Sequence, residues 1–135
     1  MEGLMGKIVI IVICVIVAVL LAGLFFTVII PSMQYGEIRK MEINNVDLNT
    51  MEDGVYGGTF AYSQTEYKVE VKISDHQIDS IDILSGGKSE YAKSAEQVVD
   101  TIIREQQIDV DVVSGATTSS KAILKAVENA LTGGK

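Results

Sequence analysis

The feature that most constrains this chain is an apolar run. From Ile8 to Ile30, 23 residues pass without a charge, and Pro31 follows at once. At 1.5 Å per residue such a helix spans roughly 34 Å, enough to cross the hydrocarbon core of a bilayer. A secretory signal has a shorter apolar region, about 7–15 residues, so the run predicts a retained transmembrane helix over residues 8–30 behind a short head, residues 1–7. The remaining chain is long enough for one small domain. From residue 31 onward stand 10 Lys/Arg against 17 Asp/Glu, which accounts for the whole net charge of −7. That sign excludes a nucleic-acid binder. Lys/Arg counts on the two sides of the run are nearly balanced, so charge alone leaves the orientation open.

Cysteine and histidine counts remove further classes. The single cysteine, Cys14, lies inside the apolar run, so it builds no disulfide framework, zinc site or iron–sulfur site. One histidine, His76, falls in a turn sequence with no second imidazole to share a metal. The sequence therefore singles out no metal site and no catalytic residue. Its chemistry rests on hydroxyls, backbone amides or a group brought from outside.

Residues 31–50 show no sustained period and are read as a tether, which if flexible has an end-to-end distance of roughly 25 Å. The domain is expected over residues 51–135. Tyr56, Gly58, Phe60 and Tyr62 alternate with Val55, Gly57, Thr59 and Ala61, and the two glycines point to a bulge or a close backbone approach. Tyr67, Val69, Val71 and Ile73 alternate strictly with Lys68, Glu70 and Lys72, a half-buried antiparallel strand. Ser74–Gln77 reads as a hairpin turn, and Ile81 and Ile83 lie in a third strand. After Gly86-Gly87 the period becomes helical through Tyr91, Ala95, Val98, Val99 and Ile102, with Ser94 and Gln97 spaced as a capping box. Ile108, Val110 and Val112 indicate a short extended piece. A last helix carries Ala122, Ile123, Ala126, Val127, Ala130 and Leu131 on one stripe, with Lys121, Lys125 and Glu128 off it, and ends at Gly133-Gly134. The expected class is α+β, a small antiparallel meander packed by two helices.

Gly86-Gly87-Lys88-Ser89 contains Gly-Lys-Ser, but a phosphate loop needs a glycine five positions before Gly87, where Asp82 stands. It reads as a connector. The richer segment is Asp111-Val112-Val113-Ser114-Gly115-Ala116-Thr117-Thr118-Ser119-Ser120, just before the last helix. Its plain explanation is a hydroxyl cap for the free amides of the first turn. Three features exceed that need. Gly115 and Ala116 strip bulk from the approach, hydroxyls and amides converge where the helix dipole favours an anion, and Asp111 lies too far upstream to be the cap.

The pattern Asp111-x-x-Ser114-Gly115-Ala116-Thr117 resembles the flavinylation motif of the FMN-binding domain family. That family includes the covalent-flavin subunits of the sodium-translocating NADH:quinone reductase and of the Rnf complex. The likeness runs from about Gly54 to Leu131, opening on Asp53-Gly54-x-Tyr56-x-Gly58. It implies FMN joined by a phosphoester to the Thr117 hydroxyl, transferred from FAD by a flavin transferase. Asp111, Ser114, Gly115 and Ala116 would be the sequence which that transferase reads, and Thr118 would lie near the phosphate. Because the transferase acts outside the cytoplasm, the resemblance implies a cytoplasmic N-terminus and an extracytoplasmic domain. This is a short, single-domain version, and its Gly86–Ser89 connector departs from the loop near the flavin in larger members. The expected function is a membrane-anchored electron carrier serving unidentified donor and acceptor proteins. The rival is a non-redox, membrane-anchored interaction domain in which Ser114–Thr117 only cap a helix.

Overall fold

Alternation around Tyr67–Ile73 makes a strand with one dry and one wet side. This is β2 (Thr65–Ser74), in which Tyr67, Val69, Val71 and Ile73 are buried while Lys68, Glu70 and Lys72 are exposed. β1 (Gly54–Tyr62) and β3 (Gln77–Ser85) pair with it antiparallel in the order β1-β2-β3, the expected meander. The structure, a computed structural model, describes residues 2–29 and 36–133; the side chains of residues 28, 29 and 91 lie outside the description. Asp75 and His76, both with positive φ (53° and 60°), form the two-residue turn between β2 and β3. Asp53 Oδ1 accepts the Asp75 N–H at 2.8 Å, and His76 Nδ1 lies 3.1 Å from the Met51 carbonyl oxygen.

The dry face of the sheet is covered by the last helix, α4 (Thr117–Thr132), which packs on β1 and β2. All six residues of its expected stripe are buried, and Gly133 closes it in the left-handed region at φ 73°. Gly58 on β1 explains how close the helix comes. A Cβ there would overlap the Ala126 carbonyl oxygen and the Ala130 nitrogen and stand 2.7 Å from the Ala130 Cα. Of the two alternatives for the paired glycines, Gly58 is the close approach. Gly57, on the wet side, meets nothing within 4 Å.

Between β3 and α4 the expected single helix is two, α2 (Glu90–Ala95) and α3 (Gln97–Glu105). The Ser94–Gln97 capping box is not formed. Ser89 caps α2 by accepting the Ala92 N–H, while the Ser94 hydroxyl donates back to the Glu90 carbonyl. Ala95, Val98, Val99 and Ile102 are buried as their spacing predicts. The piece holding Ile108, Val110 and Val112 joins no strand, though Ile108 and Val110 are buried.

At the end of α3, Gln106 adopts the left-handed conformation, φ 55°. Its amide mimics a neighbouring strand. Oε1 accepts the Ile78 N–H at 2.7 Å, and Nε2 donates to the carbonyls of Ile78 at 2.9 Å and Ile103 at 2.8 Å. Ile78 is buried, so Gln106→Ala strands these backbone groups away from water. The expected cost is about 2 kcal/mol, visible as a lower urea midpoint with an unchanged slope.

The chain divides into two compact units, Met1–Glu37 and Ile38–Lys135. The first holds α1 (Glu2–Leu24) and a π-helical turn, Phe25–Ile29, where the Thr27 hydroxyl donates to the Gly23 carbonyl at 2.9 Å. Glu2–Thr27 is long and apolar enough to cross a membrane, and its apolar side chains are exposed throughout. The head read as residues 1–7 is helical from Glu2 onward, and Ile30 lies outside the described residues.

The second unit begins earlier than residue 51. Of the expected tether, residues 31–35 lie outside the description, but residues 38–50 pack onto the domain. Ile38 and Ile43 join its core. Asn44 donates through its backbone and side-chain nitrogens to Glu128 at 3.4 and 3.3 Å, and Lys125 Nζ stands 3.0 Å from the same carboxylate. Glu128, expected off the buried stripe of α4, is therefore buried as a paired charge.

Candidate functional site

The segment Asp111–Ser120 is built from a turn, a helix start and one strand residue. Ala116 N–H donates to the Val113 carbonyl at 3.0 Å, closing a turn whose third residue, Gly115, has φ 81°. A type II turn requires that conformation there, and glycine adopts it without strain. The buried Ser120 hydroxyl accepts the Val113 N–H at 3.1 Å, tying the start of the turn to the first turn of α4. Upstream, Asn45 Oδ1 accepts the N–H groups of both Ile108 and Asp109 at 2.8 Å. The backbone leading to Asp111 is thus pinned while the Asp111 side chain is exposed.

Contrary to the capping explanation, no hydroxyl caps α4. Its N-cap is Ala116 (φ −127°, ψ 33°), with no side-chain capping bond; the Ala116 carbonyl accepts the Ser120 N–H at 2.9 Å. The N–H groups of Thr117, Thr118 and Ser119 have no side-chain acceptor among the described residues. A helix N-terminus in this state carries the positive end of the dipole and is suited to a phosphate.

The four successive hydroxyls are not equivalent. Ser120 is fully buried and engaged. The Ser119 hydroxyl lies 3.3 Å from the Tyr67 hydroxyl. Thr117 and Thr118 are half-buried, and their hydroxyls make no hydrogen bond among the described residues. Ser114 and Gly115 are exposed and Ala116 is buried, so the turn presents little bulk beside Thr117. A phosphate-bearing group fits this place: free amides, two available hydroxyls and an open side toward solvent.

Two contributors escaped the sequence reading. Asn45 was visible only as part of an Asn-Asn pair in an apparent tether. The Gly86–Gly87 connector packs on Tyr67, where a Cβ at Gly86 would lie 3.5 Å from the ring. Through Tyr67 it stands beside Ser119, and so beside the helix start.

Residues 62–132 match the model of the FMN-binding domain, a span that runs from the end of β1 to the end of α4. Over 83 residues the chain is 37% identical to an uncharacterized protein of Treponema pallidum (strain Nichols), covering 60% of this chain and 23% of that protein. The chain therefore spans about a quarter of that relative's length. A crystal structure of the CPE2226 protein from Clostridium perfringens is similar in fold, with a TM-score of 0.50 and 23% identity over 63% of this chain and 89% of that one. With more than half its length matched, the chain belongs to the FMN-binding domain family.

Proposed function

We propose that this protein is a membrane-anchored electron carrier whose FMN is attached by a phosphoester to Thr117 and displayed outside the cytoplasm. The observation that carries the reading is the uncapped start of α4, set directly behind Asp111-x-x-Ser114-Gly115-Ala116-Thr117 in a domain of the FMN-binding family. The rival cap-only reading lacks a capping hydrogen bond to rest on.

Each residue has a defined part. Thr117 supplies the ester oxygen. The amides of Thr118 and Ser119, with the helix dipole, hold the phosphate charge. Gly115 and Ala116 leave room for the group, and Ser114 and Asp111 belong to the surface that a flavin transferase recognises. When bound, FMN supplies the redox chemistry, while the protein supplies attachment and reach. So small a core has little room for a deep pocket, and a covalent bond makes one unnecessary. Donor and acceptor proteins would meet the domain in turn at the membrane surface.

Co-expressing the full chain with an FAD-dependent flavin transferase tests this. After denaturation the band should fluoresce as flavin, its mass raised by FMN less one water, and the protein should stay with the membrane pellet through an alkaline carbonate wash. A non-fluorescent band of unmodified mass would overturn the flavin assignment. A protein released to the supernatant and shortened near Ala22 would overturn the anchor.

A further inference from the structure

The first residues of the domain and the last helix enclose an open cavity of about 410 Å3 in which three cations meet, Arg39, Lys40 and Lys121. None of the three is ion-paired among the described residues, although Glu42 and Asp109 line the same cavity. Their isolation stands out in a segment where carboxylates outnumber cations by 17 to 10. The neighbouring carboxylate Glu128 does not compete for them, because Lys125 and Asn44 already engage it. Position in the chain adds a second observation. Arg39 follows the last residue of the apolar run, Ile30, by nine residues, a reach of at most about 32 Å. Whatever the orientation of the chain, Arg39 stays within that distance of the run's end.

We propose that this cavity seats the phosphate of an anionic lipid headgroup. The inference rests on reading residues 8–30 as a membrane anchor. Juxtamembrane Lys and Arg are attracted to anionic leaflets, while the acidic remainder of the domain is repelled by them. The cavity therefore selects the face that the domain turns to the membrane. Glu42 and Asp109 reduce the excess positive charge to one, so a free phosphate ion in bulk water binds weakly. Headgroups presented at high local concentration by the anchor occupy the site. Lys121 lies one helical turn beyond Thr117, on the same face of α4. Lipid engagement thus holds the attachment turn next to the membrane surface.

The test uses the full chain in vesicles of phosphatidylcholine alone and of phosphatidylcholine with phosphatidylglycerol in equal parts. A neutral amine-acetylating reagent reports lysine access by mass spectrometry, with Lys68, exposed on β2, as the internal reference. Relative to Lys68, acetylation of Lys40 and Lys121 should slow about fivefold in the phosphatidylglycerol vesicles and recover as salt is raised. Arg39→Gln should weaken the protection of Lys121 and leave Lys68 unchanged. Equal relative rates in both vesicles would overturn the proposal. So would equal protection by inorganic phosphate added to the phosphatidylcholine vesicles, which would make the site a general phosphate site. If instead the chain left both kinds of vesicle in a carbonate wash, the anchor reading would fall, and this proposal with it.

Discussion

Thr117→Ala should abolish the covalent flavin and leave the fold as stable as before. The residue is proposed to give the ester its oxygen, so the loss is all-or-none: the mass increment of FMN less one water disappears, and the denatured band no longer fluoresces. A hydroxyl that capped the helix would cost about 1 kcal/mol on removal. Thr117 caps nothing, since α4 begins on Ala116 without a side-chain bond. Alanine is the better helix former by up to ~0.7 kcal/mol, so the thermal midpoint should hold or rise slightly. Thr117→Ser keeps a hydroxyl, with a freer side-chain rotamer, and should retain part of the labelling. Asp111→Ala keeps the acceptor and removes a feature proposed for recognition, so labelling should slow without vanishing. Flavin mapped to Thr118, whose hydroxyl is equally available, or full labelling of Thr117→Ala, would show the assignment to be wrong.

Gly58→Ala should be the most damaging small change in the domain. One methyl group must enter space already held by the backbone of α4 at Ala126 and Ala130. Neither neighbour can turn a side chain away, so the helix has to lift from β1. Overpacking costs typically 1–3 kcal/mol and more when backbone must move, so about 3 kcal/mol or above is expected, a large part of a domain's usual 5–15 kcal/mol. Gly57→Ala is the internal control. It adds the same methyl to the same strand on the open side, where nothing lies within 4 Å. Urea unfolding of the two variants in the full, detergent-solubilised chain should differ clearly, with Gly57→Ala near the parent. Matching midpoints would mean that α4 does not press on β1 as described.

What the sequence made readable was whatever repeats locally. β2 alternates strictly because one side is covered and the other wet, and every apolar position obeyed the pattern. α4 did the same with a helical period. The third strand was harder to read because a register shift between Lys72 and Ile73 sets Ile78 and Ile81 an odd number of residues apart, both buried. Residues 38–50 escaped because their partners are remote. Ile38 and Ile43 are two apolar residues in a polar stretch, and Asn44 and Asn45 bond to groups more than 60 residues away. Glu128 looked like a surface charge for the same reason. At Asp111–Ser120 the local rule that serine and threonine cap helices misread the geometry, because the helix begins on Ala116 without a side-chain bond. The hydroxyls there are buried, held by another side chain or left free.

If the proposed anchor confines this domain to a membrane surface, the amide of Gln106 has a further consequence. Proteins restricted to two dimensions meet one another often, and a bare sheet edge is a template on which a second chain can add a strand. β3 is one of the two outer strands of its sheet, and at Ile78 both backbone groups pointing outward are already taken by one side chain. A neighbouring copy finds no rung to begin on there. Crowding at a membrane would then bring these domains close with that starting point for strand addition on β3 already closed.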